Sequence, residues 1–215
     1  MRAILFSFFI ATIVATQDAR AAAHAGPPPI LAPFGDGNWW VLAQSLHYTV
    51  AGHPTKIVVP RGFVTDLASV PSLFWSYLPK TGKYLSAAVL HDFLYWDNRC
   101  SQAEADAVFK LEMLEFGVES TKLSMIYNAV DTLGSGSYAA YTKPLNSKPI
   151  RIVPEKALAE FLRRDLNSKQ DWAMWSTTIQ AQYKAEALSE AVGALTANRS
   201  IRDVCKAALS VVERK

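Results

Sequence analysis

Cysteine is scarce in this 215-residue chain, with Cys100 and Cys205 the only two. A disulfide-dense miniature fold is therefore excluded, and two thiols among four histidines give no structural zinc spacing. Neither H-E-x-x-H nor G-x-S-x-G occurs, which removes the best-marked metalloprotease and serine-hydrolase patterns. Lys and Arg are scattered at a net charge of +3, with no basic stripe interleaved with aromatics, so no nucleic-acid partner is expected. No internal repeat is visible, and the one long apolar run, near the N-terminus, is short for a membrane span.

What is present is a chain half apolar and a fifth charged, ordinary for a protein with a real core. Its length suits one domain with an appendage, or two small domains. Arg2 precedes an apolar run from Ala3 to Ala15, and Ala23-His-Ala25 before Gly26 fits the A-x-A cleavage pattern. Residues 1–25 therefore read as a signal peptide and the mature protein as periplasmic or secreted. In such an oxidising compartment Cys100 and Cys205 can join, closing a loop that the chain-entropy view values at up to about 4–5 kcal/mol. The alternative is two separate buried thiols.

After the signal, residues 26–37 form a Pro-rich lead-in, expected to be extended and mobile. Trp39–Ala43, Leu46–Val50 and Lys56–Val59 alternate and are rich in β-branched and aromatic residues, so they read as strands, with Gly52-His-Pro as a turn. From Ser72 the pattern becomes helical: Ser72–Tyr77, Tyr84–Trp96, Gln102–Phe116 and Ser120–Leu133, then a Gly-Ser-Gly turn and a Pro-containing loop. Residues 155–215 read as two or three more helices. The fold class is α+β and mainly helical. A small antiparallel β element over about 38–60 packs on a helical core with antiparallel helices 84–96 and 102–116, followed by a C-terminal helical extension.

The candidate chemistry lies in Ala87-Ala-Val-Leu-His91-Asp92-Phe-Leu-Tyr95. Ser101 and Glu104 form an S-x-x-E capping box that starts the next helix. From that start Asp106, Phe109, Met113 and Phe116 share one face, which turns Asp106 inward at the head of an apolar stripe. His91 and Tyr95 share a face of the preceding helix, and the short connecting loop brings Asp106 toward both. A carboxylate on one imidazole nitrogen fixes the tautomer and leaves the other to act as a base. The plainer alternative pairs Asp106 with Arg99 and makes His91 a satisfied core histidine. In Pro60–Pro71, Asp66 and Ser69 can bond turn amides, or Thr65 and Asp66 can line a site and hold a cation through oxygen.

These segments, with Arg99, Ala105-Asp106, Phe109, Met113, Gly117-Val118 and Tyr127–Gly134, resemble the bacterial and phage family DUF1353 from about Trp40 to Tyr138, which implies a domain over residues 38–146. That family implies no established activity. His91-Asp92-x-x-Tyr95 is also similar to the H-D-x-x-Y signature of secreted phospholipases A2. By that likeness His91 would activate water, Asp106 would orient it, Tyr95 would support the second carboxylate, and Asp92 would bind Ca²⁺; the turn reading adds Asp66 as a second metal ligand. The glycine-rich calcium loop and flanking cysteines of the phospholipases are absent here.

The remaining residues suggest structure before chemistry. His47 and His53 read as surface or turn residues, and the six tryptophans as packing residues. Leu158, Phe161, Leu162 and Leu166 make an apolar face opposite Lys156, Arg163 and Arg164, suited to packing on the domain or to contact with a membrane surface. Two functions follow. One is an exported hydrolase acting on an envelope lipid or another ester or amide through a His-Asp centre. The other is a non-enzymatic envelope or phage-derived module in which His91, Asp92 and Asp106 form a buried polar network. They differ in whether the His91 ring opens onto a cleft or is sealed behind Phe93 and Trp96.

Overall fold

The computed structural model describes residues 27–67, 84–163 and 170–214. The signal segment, Ser69, the expected helix Ser72–Tyr77, Arg164 and Leu166 lie outside them. The first part carries strands β1 (Leu31–Pro33), β2 (Trp40–Leu42), β3 (Leu46–Tyr48), β4 (Ile57–Val59) and β5 (Val64–Thr65). β2 pairs antiparallel with β1 and with β5, placing Val41 opposite Val64, while β3 and β4 form a separate hairpin. The Gly52-His-Pro turn closes that hairpin, with the His53 N–H donating to the Val50 carbonyl. The lead-in is more ordered than expected, because Leu31–Pro33 within it form β1. Pro33 is tolerated there because β1 is an edge strand.

Strand alternation sorts the side chains into two cores. Leu42 and Phe63 join the main core with the helices, whereas Val41 and Val64 face Phe34, Val153, Leu158, Trp172 and Trp175. The C-terminal part thus covers the far side of the three-stranded sheet. Gly62 permits this: a Cβ there would lie 2.4 Å from the Val153 carbonyl oxygen, and its φ is +85°. The Val153 N–H donates to the Gly62 carbonyl at 2.9 Å, drawing residues 151–153 beside β5.

Seven α-helices occur among the described residues: α1 (Leu85–Asp97), α2 (Gln102–Glu115), α3 (Ser120–Ala140), α4 (Glu155–Leu162), α5 (Trp172–Gln182), α6 (Lys184–Ala197) and α7 (Ile201–Val212). α2 packs on α1, α3 and α7. Its start is the expected capping box, with Glu104 N–H donating to Ser101 Oγ and Ser101 N–H to Glu104 Oε2. α1 ends at Asn98 in the left-handed region, and Lys148 Nζ donates to the last carbonyls, Trp96 and Asp97.

Two helical expectations need correction. The Gly-Ser-Gly segment is not a turn, because α3 runs through it to Ala140. Tertiary contact outweighs the poor propensity of glycine: Tyr138 donates to the Cys100 carbonyl at 2.8 Å and stacks edge-on against Tyr95. Among its described residues the C-terminal part holds four helices rather than two or three, since Tyr183 alone separates α5 from α6 and no Gly or Pro marks either short break.

The Cys100–Cys205 disulfide is formed and ties α7 to the α1–α2 loop. Leu158 is buried and Phe161 packs against Phe34 and Trp175, so α4 packs on its own domain, while Leu162 is exposed. No helix among the described residues is long and apolar enough to cross a membrane.

Candidate active site

His91 and Asp106 meet where α1 and α2 cross antiparallel. His91 Nε2 lies 2.7 Å from Asp106 Oδ1, and the Tyr95 hydroxyl donates to the same oxygen at 2.8 Å. Asp106 is fully buried, so a carboxylate that only accepts must draw the imidazole proton onto Nε2. Its second oxygen, Oδ2, is buried and has no partner among the described residues. The imidazole is held between Tyr95, at 4.1 Å between ring centroids, and Phe109, at 4.8 Å. Burial first, and then the Asp106 charge, push the Tyr95 phenol far above its ordinary range, so it serves as a donor. Arg99 does not reach Asp106; it makes a two-point contact with Asp97.

Asp92 faces β5 rather than α2. Thr65 Oγ1 donates to Asp92 Oδ2, and the Leu67 N–H donates to the same oxygen at 3.2 Å. These bonds hold Leu67 at φ 53°, an uncommon conformation for a leucine, and so fix the turn that carries Asp66. Asp66 Oδ2 lies 3.7 Å from Arg151 Nη2.

A cavity of about 240 Å³ connects these groups, lined by Asp66, His91, Asp92, Tyr95, Tyr141 and Arg151 with one wall of α3. His91 is only 3% exposed, yet it forms part of this wall. Phe93 and Trp96 do not seal it, because both pack on Phe63 in the core. The α3 wall is small and mostly apolar, with Ala129, Val130, Leu133, Gly134 and Ala140 beside one polar residue, Ser137. Gly134 is required where it stands, since a Cβ there would fall 2.6 Å from the Tyr95 hydroxyl.

The cation expected at Asp92 and Asp66 is not favoured by this donor set. Both carboxylates reach the cavity, but Asp92 is engaged by two donors and Asp66 faces a guanidinium that repels a cation. No three His, Cys, Asp or Glu side chains among the described residues cluster as metal ligands. His47 is exposed and His53 lies in the hairpin turn, its Nδ1 accepting from the Thr55 N–H. Sequence reasoning did not find Arg151, Tyr141 or the second half of α3. A lone arginine between Ile150 and Ile152 carries no motif, and α3 was expected to have ended.

A second polar crossing lies farther along the same helix pair. Ser86 on α1 donates to Glu112 Oε1 on α2, and Glu112 Oε2 is buried without a partner among the described residues. Burial, and less strongly the Glu115 charge, push Glu112 up to about 8 against the Ser86 bond. The Tyr48 phenol, raised by burial and by the charges of Glu115 and Glu112, lies beside it. None of these groups lines the His91 cavity.

The class defined by this geometry is an α+β, mainly helical domain with a histidine–aspartate pair on a cavity wall. Residues 40–130 match the family model of DUF1353, a protein family of unknown function. The chain is also 33% identical over 101 residues to the uncharacterized protein y4jT of Sinorhizobium fredii. That match covers 46% of this chain and 30% of the relative. No solved structure matches. The likeness to phospholipases A2 finds no support in these comparisons.

Proposed function

We propose that this protein is a small exported hydrolase that cleaves an ester or amide with His91 as general base. The observation that carries it is the position of His91: its ring forms part of the wall of a cavity of about 240 Å³ while Nε2 is held by the buried Asp106. With Nε2 committed, proton transfer falls to Nδ1. A water gives its proton to Nδ1 as its oxygen bonds the carbonyl carbon, and the carbonyl electron pair moves to oxygen. When the intermediate collapses, the leaving alkoxide or amide takes that proton and a carboxylic acid remains. Asp106 stabilises the transient imidazolium, and Tyr95 holds Asp106 in place. No step requires a cation, and Ca²⁺ dependence is a separate point for a chelator experiment. The cleavage pattern ending at Ala25 and the Cys100–Cys205 bridge support export, because such bridges persist in oxidising compartments.

Burial of His91 and full burial of Asp106 favour the second reading, a structural network that joins α1 to α2. A survey of p-nitrophenyl esters and anilides of short acids separates the two. The hydrolase reading expects turnover by the wild type and a loss of about 100-fold or more in His91→Gln, whose amide can still donate to Asp106. Absence of turnover across the survey, or its retention in His91→Gln, would favour the structural network.

A further inference from the structure

We infer that Arg151 is the specificity-determining residue of the cavity and anchors a carboxylate on the ligand. This rests on the hydrolase reading only in that the ligand would then be the substrate; as a binding site Arg151 stands alone. Arg151 comes from the segment beyond the DUF1353 match, yet it lines the same cavity as His91. The Lys148 bonds to the end of α1 and the Gly62–Val153 contact hold its backbone.

The guanidinium lies 4.2 Å from the centroid of the Trp39 ring, and its Nε and Nη2 donate to the Tyr141 hydroxyl. Nη1 donates to the Val64 carbonyl at 3.4 Å. Of its five N–H groups, one on each Nη then has no acceptor within hydrogen-bond distance among the described residues. Asp66, at 3.7 Å from Nη2, balances the charge without making such a bond. Two N–H groups on a stacked, planar cation form a fork matched to the two oxygens of a carboxylate. The mostly apolar α3 wall faces the rest of the molecule, and the cavity has room there for a short chain. Asp66 and Asp92 also line the cavity, so the ligand carboxylate must displace Asp66 from its place beside the guanidinium.

Calorimetric titration of the full mature chain with butyrate tests this, with butanol as the neutral control and inorganic phosphate as the competing anion. Saturable butyrate binding without butanol binding is expected. It should weaken about tenfold in Arg151→Lys, which keeps the charge and loses the fork. Asp66→Asn should tighten butyrate binding, the opposite of what a merely structural Asp66–Arg151 pair predicts. Absence of saturable butyrate binding, tighter binding of phosphate than butyrate, or weaker butyrate binding in Asp66→Asn would overturn the inference. His91→Gln should still bind butyrate. Binding without turnover would therefore defeat the hydrolase reading alone, and turnover without binding would defeat this one alone.

Discussion

α1 and α2 are joined by two buried polar crossings, and they differ in what surrounds them. At one, His91 and Tyr95 converge on Asp106 and border a cavity. At the other, Ser86 meets Glu112 beside Tyr48 and Glu115, and no group borders that cavity. The first pairs a histidine with a carboxylate, so its proton can be held and returned. The second buries acids that are cheapest when neutral, so its proton is held against the solvent. Access to a cavity, rather than burial or bonding, separates a candidate reactive group from a structural one.

The largest effect is expected from Asp106→Ala, which leaves the His91 and Tyr95 donors buried without their acceptor. Chemical denaturation should show a loss of about 3–4 kcal/mol. Next comes the acid at the other crossing. Its folded value of about 8 exceeds the ordinary 4.5, so the neutral form is the one the fold favours. Its contribution is therefore fully present below pH 4.5, declines as pH rises toward 8, and is level above that. Stability measured from pH 4 to 9 should show this decline, on the order of several kcal/mol. Glu112→Gln should flatten it while leaving the cavity unchanged.

Gly134→Ala should cost about 1–3 kcal/mol by driving a methyl group into the Tyr95 hydroxyl. Unlike the Glu112 change, it should also lower turnover, because Tyr95 can no longer hold Asp106. Ser86→Ala is expected to cost about 1 kcal/mol, seen in the unfolding midpoint, with turnover unaffected.

The sequence made the first crossing legible because three local signals agreed. The capping box set the start of α2, helical phase turned Asp106 inward, and the short loop fixed the antiparallel approach. Phe109 and Met113 are buried as that phase requires, while Phe116 is only half-buried just past the helix end. The second crossing was less legible, since Glu112 carries no motif and its burial depends on Tyr48 and Ser86 from distant segments. The opposite wall of the cavity was hidden for a related reason. Arg151 is placed by contacts with Val64, Trp39 and Tyr141, none of them near it in a sequence pattern. α3 extends through glycines because of the Tyr138–Cys100 bond, a tertiary effect that propensity does not record.

The most direct test measures turnover of p-nitrophenyl butyrate and of the mono-p-nitrophenyl ester of glutarate, which keeps a free carboxylate, alongside the unfolding midpoint in His91→Gln and Ser86→Ala. A catalytic His91 predicts turnover lost by about 100-fold or more in His91→Gln with the fold retained, and turnover kept in Ser86→Ala. Equal losses of stability in both variants, with turnover absent from the wild type or unchanged in His91→Gln, would contradict it.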